Sequence, residues 1–519
     1  MTAGSREQKS GGSAMTAGTR EQKSGGGAMT LEASIRFRGP LARSYPAAVA
    51  LVVFALVPYL ALSAALGPLT PVLARSLGLS HQALALTTGM ANAGYAFGTV
   101  LAIQFSVHLR GRRLLVLYAG LFVIASVMAA LALTPGLFIA GRVLQGLCTS
   151  LMLIAAVPPL VIGWPASKVP WTGVTMNMCV FGAVALGPVI GGVQAGAGDW
   201  RPLFWIIAGV GAMALLFVLL TFEDQPPQDR SAPWDWVAIV LAGGGCAASF
   251  FGASELQTRS LLDLVVFLPL VAGVMMIISL VVFEYHTRRP LMPVRSFTTT
   301  LPVAGIVVAM CAGAASVGVV ELAQAALQAR ASPVHAGMLF WPEFGAAVVT
   351  AALFGAMFRT RFIALFAFAG MIMLSGGAAV LTGVAHGPDA LVVVGSGLVG
   401  LGVGGSVAPS LFIAGLSLRS SNIQRVFALV ELLRGVAAFM IAPILMHLAM
   451  STGGKPGAGI GTAIWVCFGI AAGGGLIAFY VFVLGRAPLS RPDLGRWLEG
   501  EEPAWTSPPL AAGIRGESR

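Results

Sequence analysis

The sequence predicts an all-α protein that crosses a membrane many times. Of its 519 residues, 57% are hydrophobic and only 10% are charged, whereas soluble proteins carry roughly 25% charged residues. The apolar residues are also gathered in runs of about 20, the length of helix that spans a bilayer core. Because lipid offers no hydrogen bonds to the backbone, each of these runs is expected to be a helix.

Fourteen such runs follow one another along the chain. They cover residues 46–67, 85–107, 114–134, 137–163, 171–195, 202–222, 234–254, 261–283, 301–323, 335–357, 362–384, 389–416, 424–450 and 461–485. An even number of spans puts both ends of the chain on the same side of the membrane.

Basic residues in the loops indicate which side that is. The short loops on the side of the termini carry Arg110, Arg112, Arg113, Lys168, Arg230, Arg288, Arg289, Arg295, Arg359, Arg361, Arg419 and Arg425. The loops on the other side carry only Arg75, Arg201, Arg259, Arg330 and Lys455. Since Lys and Arg collect in cytoplasmic loops, both termini are predicted to be cytoplasmic, in a multi-pass protein of the cell (inner) membrane. The formal charge of +11 therefore does not indicate a nucleic-acid partner.

Two polar segments, residues 223–233 and 286–297, divide the spans into six, two and six. This division predicts two six-helix bundles with an inserted helix pair, built from repeats about an axis along the membrane normal. A polar tandem repeat of 14 residues fills residues 1–28 and is expected to be disordered. The predicted regions are an N-terminal tail (1–44), a first bundle (45–222), a linker with the inserted pair (223–300), a second bundle (301–486) and a cytoplasmic tail (487–519).

Ionisable side chains inside the spans are candidate functional residues, because a charge in the bilayer is costly and usually faces a partner or a pathway. Arg142 lies in the fourth span. Its guanidinium does not deprotonate in proteins, so it cannot carry a proton, but it can influence a carboxylate or hold a backbone carbonyl. A purely structural arginine is the alternative interpretation.

The candidate proton carriers within the spans are therefore the carboxylates of Glu321, Glu343 and Glu431. Glu431 and Arg434 are three residues apart near the middle of the thirteenth span, so they share a helix face. They are interpreted either as a pair that titrates or as a static ion pair. Glu343 follows Trp341 and a proline, a setting typical of a cavity wall that binds a cationic, apolar substrate. Glu321 lies near the outer end of the ninth span, where an interfacial position is the alternative.

Polar and aromatic side chains of the spans are candidates for lining a substrate cavity, with ordinary packing as the alternative for each. These candidates are Tyr59, Asn92, Tyr95, Asn177 and Trp341. By contrast, Glu255, Asp263 and Glu284 lie at the ends of spans, where solvent exposure is expected.

No cofactor or metal is predicted. The five cysteines lie within apolar runs and the six histidines are scattered, so neither set has the spacing of metal ligands. The segment 395–400 matches the Gly-x-Gly-x-x-Gly fingerprint of dinucleotide-binding proteins, but it lies inside an apolar span without a preceding strand. Gly400 and Gly404 instead predict close helix packing.

The fifth span contains an unusual concentration of glycine around a central proline, over residues 182–192. Membrane helices tolerate such residues because neighbouring helices satisfy the freed backbone groups and small residues allow close approach. A bent, tightly packed helix is therefore predicted, with Gly187, Pro188, Gly191 and Gly192 as candidate gating or packing residues.

Three motifs occur in an informative order. Residues 141–146 read GRVLQG in the fourth span, residues 187–192 read GPVIGG in the fifth, and residues 199–204 read DWRPLF before the sixth. Together they resemble motifs of the major facilitator superfamily, in its 14-helix branch of EmrB/QacA-type drug:proton antiporters, and the resemblance covers residues 45–490. It implies gating or packing roles for Gln145 and Gly146, and it implies that the bend at Pro188 lies against the second bundle.

The sequence departs from this family at two positions. Residues 108–113 keep Gly111, Arg112 and Arg113 of the family's Asp-Arg-x-Gly-Arg-Arg loop as candidate gating or packing residues but lack its acidic residue and its first arginine. The first span lacks the carboxylate that this branch usually carries. If that carboxylate couples protons in the family, this protein must do so elsewhere.

The resemblance implies a proton-coupled exporter of hydrophobic drugs, cations among them, that works by alternating access. Its expected partners are a small-molecule substrate, protons, the lipid bilayer and a periplasmic adaptor protein. A dedicated exporter of an endogenous metabolite or siderophore is the alternative within transport, with a proton-coupled importer third. A polytopic membrane enzyme is disfavoured, because no nucleophile–base or metal cluster is recognisable.

Overall fold

The computed structural model describes residues 39–222, 233–452, 458–484, 491–500 and 502–510. The predicted tandem repeat of residues 1–28, most of the linker of residues 223–233 and the end of the C-terminal tail lie outside the described residues.

The predicted all-α fold class is confirmed. The membrane helices are α1 (Tyr45–Leu77), α2 (His81–His108), α3 (Gly111–Ala130), α4 (Pro135–Ile162), α5 (Val169–Ala197), α6 (Arg201–Thr221), α7 (Trp236–Glu255), α8 (Leu264–His286), α9 (Thr300–Gln328), α10 (Pro333–Met357), α11 (Ile363–Leu381), α12 (Asp389–Leu416), α13 (Ile423–Thr452) and α14 (Ala458–Ala478). Each corresponds to one predicted span.

Within the described ranges, 13 helices are long and apolar enough to cross a membrane, and α2 is the only one of the fourteen outside that set. The 28 residues of α2 are long enough for a span, but they include the buried polar side chains of Asn92 and Gln104. Helix α2 packs against α4, α7 and α13 and is covered by protein, so it can carry polar groups.

Two bundles and an inserted pair account for the helix packing. In the first bundle α2 packs on α4, α1 on α5, and α3 on α6. In the second bundle α11 packs on α12, and α9 packs on α12, α13 and α14. Helices α7 and α8 pack on each other and contact the first bundle through α2, so the pair lies beside the bundles.

Two helices contain local irregularities. Helix α5 changes from α to π geometry over Met178–Gly182, before the segment that contains Pro188. Helix α10 consists of a short segment, Pro333–Met338, and a longer one that begins at Trp341. Because proline lacks a backbone N–H and suits the first turn of a helix, Pro342 favours a new helix start at this break.

The C-terminal tail packs against the second bundle. We call the membrane face at which α1 begins the termini face, and the other the opposite face. On the termini face, the tail forms a short helix, α15 (Leu494–Leu498), and the Trp497 indole Nε1 donates a hydrogen bond to the Leu418 carbonyl at 2.8 Å. Leu301 N–H donates to the Ser507 hydroxyl at 2.8 Å, so the tail connects the end of α12 with the start of α9.

Trp497→Ala is expected to release this tail. Trp497 is fully buried, and removing a buried tryptophan costs about 3–5 kcal/mol. Limited proteolysis followed by mass spectrometry should therefore detect faster cleavage within residues 491–510. Trp236→Ala is the matched control, because that tryptophan is 64% exposed and lies outside the tail. Equal cleavage of the two variants would contradict the prediction.

Candidate functional site

A cavity of about 360 Å³ lies between the two bundles, and its lining is mostly apolar. Side chains from α1, α2, α5, α9 and α13 form most of the wall, including Leu66, Phe181 and Phe439. From the level of Arg434 in the middle of α13, the cavity extends towards the opposite face as far as His81 at the start of α2. This volume falls in the usual range for sites that bind drug-sized molecules.

Two of the predicted carboxylates line this cavity. Glu343 is only 4% exposed, and its Oε2 atom has no hydrogen-bond partner among the described residues. Glu343 lies in the first turn after the break in α10, where its N–H donates to the Phe340 carbonyl at 3.0 Å. Glu321 lies further towards the opposite face on α9 and is exposed to the cavity. An apolar cavity with two acidic groups is suited to an apolar cation.

Gly400 of α12 explains how the Glu343 backbone is held. A Cβ atom at Gly400 would overlap the Glu343 carbonyl, so glycine is needed for the close approach of α12 and α10. The segment 395–400 is therefore part of a packed helix, as predicted, and not a dinucleotide-binding loop.

Glu431 and Arg434 form a buried ion pair on α13. Arg434 Nε donates to Glu431 Oε2 at 3.0 Å, and a second guanidinium nitrogen donates to Oε1. The Tyr95 hydroxyl of α2 also donates to Glu431 Oε1, at 2.8 Å. The Glu431 carboxylate thus accepts two hydrogen bonds from the guanidinium and one from the tyrosine, and hydrogen bonds between charged groups are among the strongest in proteins. The ion pair of the second bundle is thus tied to the first bundle by Tyr95.

Two tyrosine rings lie between Arg142 and this ion pair. Its guanidinium lies over the Tyr59 ring, 5.2 Å from the centroid, and Tyr59 stacks on Tyr95 with centroids 5.8 Å apart. Arg142 Nη1 donates to Gln145 Oε1 at 2.8 Å, and Gln145 Nε2 donates to the Ser126 hydroxyl at 2.8 Å. In the described part of the chain no carboxylate forms a salt bridge with Arg142, so any influence on Glu431 is indirect.

Only one of the five predicted cavity-lining residues reaches the cavity. Asn92 lines it and accepts a hydrogen bond from the Tyr59 hydroxyl at 3.4 Å. Tyr59 and Tyr95 are fully buried between helices and do not line the cavity. Asn177 donates through Nδ2 to the Gly404 carbonyl at 3.1 Å and so links α5 to α12. Trp341 is 51% exposed and also lies away from the cavity.

The predicted glycines of α5 divide between two contacts. A Cβ at Gly187 would overlap Ala64, and one at Gly191 would overlap the Ala65 backbone, so both glycines face α1 of the same bundle. A Cβ at Gly192 would instead overlap the Pro333 carbonyl of α10. The contact with the second bundle is therefore made at Gly192 and not at Gly187.

Pro188 takes part in the contact with the second bundle. A Cβ at Gly337 of α10 would lie 2.5 Å from the Pro188 carbonyl oxygen, so glycines from both helices permit the approach. We call the contact of Pro188 and Gly192 with Pro333 and Gly337 the α5–α10 seam. It lies towards the opposite face, in the outer part of both helices.

The other family motifs support the first bundle. A Cβ at Gly146 would overlap the Ala91 carbonyl, so this glycine lets α4 approach α2. Arg112 Nη2 donates to the Leu219 carbonyl at 3.1 Å, which ties the start of α3 to α6. Gly111 begins α3, and Arg113 lies exposed in its first turn.

Several cavity residues are missing from the sequence-based candidates. They are polar side chains of the cavity wall: Ser63, Thr70, His81, Thr87, Thr88, Gln257, Ser316, Gln324 and Gln328. A signal for part of this set exists on α9, because Glu321, Gln324 and Gln328 are spaced by three and four residues and share one helix face. Gln257 could not be found in this way, because it lies in a loop outside both bundles.

The expectation that all three span-end carboxylates are solvated is wrong for two of them. Glu255 is 1% exposed and Glu284 is fully buried. Glu255 accepts a hydrogen bond from Gln82 Nε2, and Glu284 accepts one from the Met292 N–H at 3.0 Å. Each carboxylate therefore holds a loop in place.

Comparison with known proteins decides the family. The model of the Major Facilitator Superfamily matches residues 52–341, more than half of the chain. The protein belongs to this superfamily. It is a multi-pass membrane protein, and the resemblance inferred from its motifs is confirmed.

Relatives include a multidrug resistance protein B homolog of Mycobacterium tuberculosis (strain H37Rv), 28% identical over 63% of this chain and 60% of the relative. A tetracenomycin C resistance and export protein of Streptomyces glaucescens is 27% identical over 45% of this chain and 44% of the relative. The chain thus spans less than two thirds of the length of these proteins. Among solved structures, a POT family transporter in complex with a thioalcohol-conjugated peptide superposes with a TM-score of 0.62. The superposition covers 85% of this chain and 96% of the POT family transporter, and the two sequences are 14% identical, so the likeness supports the fold alone.

Proposed function

We propose that the protein is a proton-coupled exporter of hydrophobic compounds, cationic drugs among them. The observation that carries this proposal is the apolar cavity between the bundles, with the buried Glu343 carboxylate on its wall and no hydrogen bond to its Oε2 among the described residues. The relatives named for multidrug resistance and for resistance and export support the same interpretation.

Glu343 is the best candidate for the group that exchanges a proton for substrate. An ionised carboxylate without a partner is costly inside a membrane, and either a proton or a bound cation removes that cost. Because both neutralise the same group, each opposes the binding of the other, as antiport requires. Glu431 is less suited to this role, since Arg434 and Tyr95 already provide three hydrogen bonds to it.

Alternating access would be provided by the two bundles, which we assign to residues 45–222 and 301–486. The excess of Arg and Lys in the loops of the termini face supports a cytoplasmic location of both termini, as the positive-inside rule predicts. The cavity would then lie in the outer half of the membrane. Rocking of one bundle against the other would next expose the site to the cytoplasm.

Everted membrane vesicles test this proposal. A hydrophobic cation added to vesicles with an acidified lumen is expected to release protons through the wild-type protein. Glu343→Gln should slow this proton release about tenfold or more, because a glutamine cannot exchange a proton. A tenfold change corresponds to about 1.4 kcal/mol. Glu499→Gln is the control, since that carboxylate is exposed on the tail.

Two outcomes would contradict parts of this proposal. Normal proton release by Glu343→Gln would exclude Glu343 as the carrier and leave Glu321 and Glu431. No proton release with any member of a broad panel of hydrophobic compounds would contradict drug export and favour a dedicated exporter of one metabolite.

A further inference from the structure

We propose that the inserted helix pair supplies a side chain, Gln257, to the substrate pathway, and that Gln257 contributes to substrate selection. This inference rests on the proposed transport function. Gln257 follows α7 and lies in the loop before α8, yet it lines the cavity between the bundles. Among the described residues, every other one that lines the cavity belongs to α1–α6 or to α9–α14.

One anchor of this loop is a buried carboxylate. Glu255 is 1% exposed, and its two oxygens accept from Gln82 Nε2 of α2, at 2.7 and 2.8 Å. Arg259 Nε, on the other side of Gln257, donates to Glu255 Oε2 at 3.1 Å and closes the loop on itself. Hydrogen bonds that involve a charged group are shorter and stronger than neutral ones, so this anchor fixes the loop to the first bundle.

A second anchor joins the loop to the second bundle. The Leu256 carbonyl oxygen lies 2.8 Å from His447 Nδ1 of α13, and Leu256 itself is 2% exposed. Gln257 is therefore held next to the cavity between a contact with α2 and a contact with α13. This fixed backbone position lowers the ordering cost of ligand binding, because only the Gln257 side chain remains to be ordered.

The chemistry of the neighbouring wall indicates what Gln257 would recognise. Gln257, Gln324 and Gln328 contribute three neutral amides to the cavity, and His81 lines it at the start of α2. An amide both donates and accepts hydrogen bonds, so these groups suit an uncharged polar group such as a carbonyl, hydroxyl or amide. The inferred substrate class is an apolar molecule with a cationic group near Glu343 and an uncharged hydrogen-bonding group near Gln257.

Cysteine labelling with ethidium, a hydrophobic cation, as the probe tests this placement. Gln257→Cys would be labelled from the opposite face with a membrane-impermeant maleimide. The wild-type protein, labelled in the same way, measures the background labelling of the five native cysteines. Ethidium at about ten times its Kd is expected to slow labelling at position 257 about tenfold, because occupancy follows mass action. Thr258→Cys is the matched control, since Thr258 is adjacent and exposed but does not line the cavity.

A third variant separates the inference from the proposed function. Ser316→Cys replaces a cavity-lining residue of α9, and ethidium should protect it as well. Protection at position 316 without protection at position 257, or equal protection at 257 and 258, would overturn the role of Gln257 alone. Loss of protection at both 316 and 257 would contradict the proposed function together with this inference.

Substrate selection has its own measurement. Gln257→Glu adds a carboxylate near the end of the cavity, so the KM for ethidium is expected to fall several-fold relative to that for an uncharged substrate. An unchanged ratio of the two KM values would contradict a role in selection.

Discussion

Glu431→Ala is expected to destabilise the folded protein by about 3–5 kcal/mol, because the change leaves the guanidinium of Arg434 buried without its carboxylate. Arg434 is 5% exposed, and its guanidinium donates two hydrogen bonds to Glu431. The same change removes the acceptor of the Tyr95 hydroxyl, a contact between the two bundles. The loss should appear as a lower midpoint of thermal unfolding in detergent micelles.

A double variant shows whether the effect comes from the unpaired charge. Replacing a buried ion pair by apolar residues of similar volume is often neutral or stabilising, so Glu431→Leu combined with Arg434→Met should recover most of the lost stability. The double variant should not recover transport, because it still lacks the hydrogen bond between Tyr95 and Glu431 that joins the two bundles. Equal destabilisation by the single and the double variant would contradict this account.

Gly192→Leu is expected to abolish transport while leaving insertion into the membrane intact. Gly192 lies in the α5–α10 seam, where a Cβ would overlap the Pro333 carbonyl, so a leucine cannot be accommodated while the seam is closed. Because the contact joins the two bundles, the substitution keeps them apart on the opposite face. Substrate uptake into everted vesicles should fall to the level of vesicles without the protein.

Two further glycines make this experiment specific. Gly209 of α6 is exposed and no neighbouring atom lies within 4 Å of a Cβ placed there, so Gly209→Leu should leave transport unchanged. Gly187 packs on Ala64 inside the first bundle, so Gly187→Leu should reduce the amount of folded protein itself. Normal transport by Gly192→Leu would mean that the seam does not have to close.

Much of the fold could be predicted, because membrane helices are specified locally. Apolar runs of sufficient length must form helices in lipid, and all fourteen runs do so. The spacing of Glu431 and Arg434 also predicted their proximity, since three residues separate neighbours on one helix face. The apolar surroundings of Gly400 and Gly404 also predicted packing roles, and a Cβ at either position would overlap the neighbouring helix α10.

The arrangement of the cavity could not be predicted to the same extent. The helices are apolar on nearly all sides, so their periodicity does not reveal which side chains face the bundle interior. Tyr59, Tyr95 and Asn177 were therefore placed within the correct helices but assigned to a cavity that they do not line. Trp341 was assigned by its position next to Glu343, although the two side chains point to different surroundings.

The sequence by itself thus determined the positions of the fourteen helices, the presence of an inserted pair and the family, because each depends on local composition or on motifs. Only the tertiary structure decided that Glu343 Oε2 has no hydrogen-bond partner among the described residues while Glu431 accepts three hydrogen bonds. Only the tertiary structure decided, too, that Gly192 and not Gly187 meets the second bundle and that a loop of the inserted pair reaches the cavity. The physical reason is that these properties depend on the rotation and packing of helices distant in sequence. Contacts between distant residues, rather than local hydropathy, set that rotation.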